Sequence, residues 1–224
     1  MSELDTSIRA RFNDAAHKLQ TLAFLARAIE LQRDAVADAG ALSAELALAK
    51  QNAILNQDEE SANELLFMEL ALNVVIAQLR MCIALKEDAG EAAWDLLIDA
   101  QSACSAAIRV RQQIAEGPPI ANLERLDAWL LQTEHLVFPP QSFLSIGGFV
   151  TMRECSICRS TYDACEHIKG RAYMGELCAT VISAMDLDHV SLVDNPANKR
   201  ARVTHFSDGT KKRNTMTWRL EDAP

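Results

Sequence analysis

The sequence predicts an α+β protein: an antiparallel helical bundle over residues 1–138, then a small zinc-stabilised β module over 142–224. Three observations predict it. Residues 1–140 are rich in Ala, Leu, Glu and Gln, the strong helix formers, and carry 11 Lys/Arg against 21 Asp/Glu. Residues 141–224 carry 11 against 10 and hold the Gly-Gly pair, four of the six cysteines and most β-branched clusters. Between them, Glu-Gly-Pro-Pro at 116–119 and Phe-Pro-Pro-Gln at 138–141 break regular structure.

Within the first region, Leu19, Leu22, Phe24, Leu25, Ile29 and Leu31 recur near a 3.6-residue period, predicting one helix from about Leu4 to Ala37 that ends at Gly40. A second covers about 41–57. Asp58 or Ser61 caps a third, running to Gly90 through Leu65, Leu66, Leu72, Val75, Ile76 and Leu79; the pattern leaves open whether 41–89 is one helix or two. A fourth runs from about Glu91 to Ala115, stopped by Gly117-Pro118-Pro119, and a fifth from Ala121 to Val137. Four or five helices with short connections make an antiparallel bundle.

The overall charge is −9, and 49% of residues are hydrophobic with 24% charged, which excludes a disordered or collagen-like chain. The apolar stretches 70–77 and 79–85 are interrupted by Asn73, Gln78 and Arg80, short of the ~18 residues a membrane span needs. The first residues lack an apolar signal segment. A cytoplasmic protein without a membrane partner is expected. Arg11 and His17, at the R-x5-H spacing of HEPN-type ribonucleases but with Phe12 between them, are read as solvated helix residues. Cys82 and Cys104, among small apolar residues, are read as packing cysteines.

Chemistry concentrates at 155–178, CSICRSTYDACEHIKGRAYMGELC. Zinc takes four tetrahedral thiolate or imidazole ligands, and a C-x2-C turn brings two sulfurs to one ion. Cys155, Cys158, Cys165 and His167 are the expected ligands, with Cys178 as the alternate. A cytosolic chain disfavours disulfides, and a segment this short needs a staple. The zinc is therefore expected to be structural.

Strand-like stretches flank the cluster at 143–153 and 187–193. Leu144-Ser-Ile-Gly-Gly-Phe149 resembles the LSIGF-type strand of phage prohead (head-maturation) proteases. Leu187-Asp-His-Val-Ser-Leu-Val193, with the following Pro196-Ala-Asn, is similar to a second segment of those enzymes. Some relatives carry a C-x2-C…C-x-H insertion with H-x2-G-x2-Y, here His167-Ile-Lys-Gly170-Arg-Ala-Tyr173. The resemblance spans roughly residues 142–205 and implies a β-barrel serine protease fold with Ser145 at the nucleophile position. His189 stands at the acidic position ahead of Val-Ser-Leu-Val. The chain departs from that pattern in the extra Gly148 and in the helical region where the general-base histidine would lie; only His17 and His135 precede Ser145. A serine hydroxyl without a positioned base is a poor nucleophile.

The last stretch carries Lys199, Arg200, Arg202, Lys211, Lys212, Arg213 and Arg219, with His205, Phe206 and Trp218 interleaved. It is read as a hairpin of strands 201–206 and 214–220 turning at 207–210, able to meet phosphates or stack bases. The leading expectation is a non-enzymatic adaptor or assembly protein, phage-related by resemblance. Its bundle would self-associate or bind a protein, and its zinc module would dock a protein or nucleic acid. A Ser145 protease and a nucleic-acid-binding accessory protein are the alternatives.

Overall fold

The structure is a computed structural model and describes residues 6–114 and 120–222. Five helices come first: α1 (Thr6–Leu25), α2 (Ile29–Leu55), α3 (Glu59–Lys86), α4 (Gly90–Arg111) and α5 (Ile120–Val137). Strands β1 (Phe143–Cys155) and β4 (Thr180–Val193) form a long antiparallel ribbon. Between them lie the short strands β2 (Ala172–Tyr173) and β3 (Glu176–Leu177). Strands β5 (His205–Asp208), β6 (Lys211–Asn214) and β7 (Leu220–Asp222) form a three-stranded meander. The expected α+β order stands, with five helices.

The first helix boundary is corrected. The chain breaks at 26–28, where the sequence has neither Gly nor Pro, and Gly40 lies inside α2. Side chains from elsewhere explain the break. Gln32, fully buried, donates to the Leu22 carbonyl at 2.9 Å, and Lys86 donates to the Ala26 carbonyl at 2.7 Å and to Gln32 Oε1 at 2.8 Å. Lys86 thus serves a carbonyl just past the end of α1, and Gln32 adds a second donor to the Leu22 carbonyl, which also accepts from the Ala26 N–H at 3.2 Å. At the next break, Asp58 caps α3 by accepting from the Ser61 N–H, so residues 41–89 divide between two helices. The Gly117-Pro118-Pro119 stop and the Leu4 start lie outside the described residues.

Short links make α1 and α2 antiparallel, as the Arg11–Glu45 and Lys18–Asp38 pairs record. α3 is the central helix. Its residues from Leu65 to Met68 are all buried, as are Val74 to Leu79, because α1, α2 and α4 pack around it. Among the described residues it is the one helix long and apolar enough to cross a membrane by length and composition, but 67% of that stretch is buried in the bundle. An all-round apolar helix is what the centre of a bundle requires.

Within this core, Gln78 is fully buried and neither its Oε1 nor its Nε2 meets a hydrogen-bond partner in the protein. A buried amide without partners costs about 1–3 kcal/mol. Gln78→Met keeps the volume and removes the unpaired dipole, so it should stabilise the chain by about 1–2 kcal/mol, read as a raised urea midpoint. An unchanged or lowered midpoint would instead reveal a buried water serving the amide.

The β part is seated on the bundle by aromatic packing and ion pairs. Trp94 of α4 is buried against Phe138 (centroids 5.4 Å, edge-on) and Phe143 (6.1 Å, stacked), and its Nε1 donates to the Lys199 carbonyl at 3.1 Å. Lys199 pairs with Glu134 at 2.6 Å, Arg200 with Asp99 at 2.5 Å and Arg219 with Asp88 at 2.6 Å. Arg202, buried, pairs with Glu91. Four basic residues of the second region thus find their counter-charges on the bundle, while the chain keeps its net charge of −9.

Candidate metal centre

β1 ends in Cys155, and the chain then turns tightly. The Arg159 N–H donates to the Cys155 carbonyl and the Cys155 N–H to the Ser160 carbonyl, both at 2.9 Å, with Arg159 in the left-handed region at φ 61°. This knuckle presents Cys158. A single 3-10 turn at Tyr162–Ala164 then delivers Cys165, and His167 follows. The Tyr162 hydroxyl accepts from the Lys169 N–H and the Tyr173 hydroxyl from the Ile168 N–H, while the His167 ring sits edge-on to Tyr173 at 4.7 Å. These contacts fix the imidazole in place.

The return path is clamped to the bundle. Across the loop the Gly170 N–H donates to the Cys178 carbonyl at 2.8 Å and the Cys178 N–H to the Arg171 carbonyl at 2.7 Å. At the end of α4, Gln113 accepts from the Ala172 N–H at 2.9 Å and donates to the Gly170 carbonyl at 3.1 Å. Met174 and Gly175, at φ 47° and 76°, form the turn between β2 and β3, where Gly is needed for positive φ. The Gly175 N–H donates to Asn63 Oδ1 of α3 at 2.9 Å.

The donor atoms of Cys155, Cys158, Cys165 and His167 all lie within 4.8 Å of one another, and the cysteines are free of disulfides. This cluster, as the sequence spacing predicts, can bind a metal ion. His167 Nδ1 is buried and without a hydrogen-bond partner, which suits an atom that donates its lone pair to a metal. Cys178 is buried with its sulfur 3.8 Å from that of Cys155 but stands outside the group of four.

The thiols differ in acidity. Burial pushes Cys155 up, but the N–H groups of Cys158 and Ile157 and the thiols of Cys165 and Cys178 outweigh it and bring it down to about 7. The N–H and hydroxyl of Ser160 lower Cys158. Burial raises Cys165, and pushes Cys178 up to about 11 with the Cys155 sulfur adding to the shift. Among the four cysteines of this segment, Cys155 is thus the readiest thiolate and Cys178 the most reluctant. In the bundle, burial raises Cys82 and takes Cys104 to about 12, in keeping with packing roles.

The remaining candidate residues are dispersed. Ser145 pairs with Ser191 across the ribbon, and His189 lies over Gly147 with its Nδ1 3.0 Å from Asp188 Oδ2; no hydrogen bond joins Ser145 to His189. Arg11 is ion-paired with Glu45, and His17 is exposed. Of the basic set, Lys199, Arg200 and Arg202 are engaged with the bundle. Lys211 lies 3.6 Å from Asp222, Arg213 donates to the Trp218 carbonyl, and Lys212 is half-buried on β6. Phe206 and Trp218 pack on each other, edge to face at 6.0 Å. The expected hairpin is shifted: its first strand begins at His205, its turn is Gly209-Thr210, and 220–222 is a third strand. β4 begins at Thr180, seven residues before the expected Leu187.

Tyr162, Asn63 and Gln113 were not singled out from sequence. Tyr162 lies inside the cysteine segment, but Asn63 and Gln113 are distant in the chain and carry no local signal. No protein-family model, no curated protein and no solved structure matches this chain.

Proposed function

We propose that Cys155, Cys158, Cys165 and His167 hold a structural zinc ion, and that the protein is a non-enzymatic adaptor whose zinc-locked β part is carried on a helical scaffold. The observation that carries this reading is the buried, unpartnered His167 Nδ1 among three thiols. Three sulfurs and one imidazole nitrogen form a borderline-soft tetrahedral set, which selects zinc over hard oxygen-seeking cations. Four protein ligands close the coordination sphere, so a bound ion would hold strands in place without an open position for substrate. Gln113, Tyr162 and Tyr173 would serve as the outer supports that orient the ligands.

Elemental analysis of protein purified without added metal tests the reading, with one zinc per chain expected. His167→Ala should reduce zinc to a small fraction of stoichiometry, whereas Cys178→Ser should retain one per chain. The reverse pattern would move the fourth ligand to Cys178. A wild-type chain with no metal and every thiol free to react would overturn the zinc reading.

A further inference from the structure

The end of α4 and the cysteine-rich loop border a cavity of about 360 Å³, lined by Arg109, Gln112, Gln113, Lys169, Gly170 and Arg171. Three of these six residues are cations and none is an acid. They come from two distant places in the chain. Arg109 lies in the last turn of α4, and Lys169 and Arg171 follow His167 in the loop. The stem of Arg109 runs over Gly170, whose φ is 85°. A Cβ at that glycine would lie 3.5 Å from Arg109 Cδ and 3.9 Å from its Nη1.

Among the described residues, none offers an ion pair or a side-chain hydrogen bond to the guanidinium groups of Arg109 and Arg171 or to the Lys169 ammonium. All three residues are exposed. Elsewhere the chain pairs even its surface cations. Arg153, at the neighbouring end of β1, meets Asp163 at 2.8 Å, and Lys199, Arg200 and Arg219 meet acids of the bundle. The dipole of α4 does not account for the cluster, because Arg111 turns back on that helix end and donates to the Ile114 carbonyl at 2.6 Å. Like charges gathered at one cavity repel one another, and an anion between them relieves that repulsion. The loop is not free to carry them apart. Gln113 holds it at Gly170 and Ala172, and the Arg171 carbonyl accepts from the Cys178 N–H. The backbone bearing Lys169 and Arg171 is therefore fixed before any ligand arrives, which lowers the ordering cost of binding.

We infer that this cavity is a phosphate-binding site, for a ligand that brings more than one phosphate charge. Guanidinium forks match phosphate oxygens bidentately, and a lysine ammonium adds a compact point charge. Three cations exceed what a lone carboxylate requires and suit a pyrophosphate group or successive phosphates of a strand. No aromatic side chain lines the cavity, so nothing there stacks a base. The site holds the phosphates and leaves whatever they are attached to in solvent. It is distinct from the basic residues 199–202, which the bundle already engages. The inference rests on the adaptor reading and deepens it, by giving the docking part a phosphate-bearing partner.

Isothermal titration of the full chain with inorganic pyrophosphate, with zinc measured on the same samples, tests it. Wild type should bind one pyrophosphate per chain, more weakly as salt is added. Arg109→Ala, Lys169→Ala and Arg171→Ala should each weaken binding about tenfold, the loss expected for one charge-assisted hydrogen bond. Arg171→Lys, which keeps the charge, should lose less. Lys212→Ala, on β6 and outside the cavity, should bind as wild type does. A wild type that takes up no pyrophosphate, or alanine variants that bind it unchanged, would overturn the inference. So would an equal loss in Lys212→Ala. A single-stranded oligonucleotide separates the two sources of phosphate. If it displaces pyrophosphate the natural ligand is a strand, and if it does not the ligand is a small phosphorylated compound; both results uphold the site. Protein that holds zinc but binds no pyrophosphate would sink the site alone, whereas metal-free protein that binds it would sink the zinc reading alone.

Discussion

Cys155→Ser should leave the chain without stoichiometric metal and release amide protection along β1 and β4, while the helical signal at 222 nm stays. Cys155 is buried at the end of β1, and its sulfur is the one brought lowest in pKa. Apparent binding energies of about 10 kcal/mol are typical for structural zinc in small modules, and folding of the module draws on that energy. Hydrogen exchange read segment by segment separates the two parts, since the bundle core built on α3 contains none of the ligands. Acidification should reproduce the variant in the wild-type chain, because protons compete with the metal for the three thiolates and the imidazole. Full protection of 143–193 in the metal-free variant would show that backbone pairing alone sustains the ribbon.

Trp94→Ala should cost about 3–5 kcal/mol of unfolding free energy in urea, the range for deleting a buried aromatic. Trp94 is 2% exposed and packs against Phe138 and Phe143, on the two sides of the Pro139-Pro140 break. It is also tied to the backbone of the basic segment through the Lys199 carbonyl. Trp94→Phe keeps much of the apolar contact and loses that hydrogen bond, so its cost should be smaller, about 1–2 kcal/mol. A loss under about 1 kcal/mol for the alanine variant would show that the β part is seated by the surrounding ion pairs instead.

The residues that were legible in the sequence are those whose partners lie nearby in the chain. C-x2-C and C-x-H spacing announces a metal cluster because the turn chemistry that brings the donors together is local, and the Asp58 cap is local for the same reason. The break between α1 and α2 was not legible. Its determinants are Gln32 and Lys86, the second of which reaches across from the end of α3. Gly40 was misread as a stop because a glycine within a long packed helix costs only about 1 kcal/mol, which tertiary burial readily overrides. The basic residues 199–202 were visible as charge, but their destination on Glu134, Asp99 and Glu91 depends on packing that no local pattern encodes. The exposure of the β1–β4 ribbon was equally hidden: strand alternation does not say which stretch stands clear of the bundle, and Phe149 and Leu187 are each 73% exposed.

The ribbon's connection has a consequence for the order in which the chain folds. β1 and β4 are joined by residues 156–179, where an ordinary hairpin would have a two-residue turn. Such a ribbon has no tight turn from which to zip, and closing a loop of that length costs about 3 kcal/mol before the first cross-strand pair forms. The helices, made from contacts close in sequence, reach their packing first. If the cluster holds zinc as proposed, ribbon assembly would wait on capture of the ion, which would draw the loop shut at one end while Trp94 receives Phe143 at the other. Metal supply would set the rate of the late folding step as well as the stability of the finished protein, and a chain made in a zinc-starved cell would stall with its scaffold complete and its sticky strands unpaired.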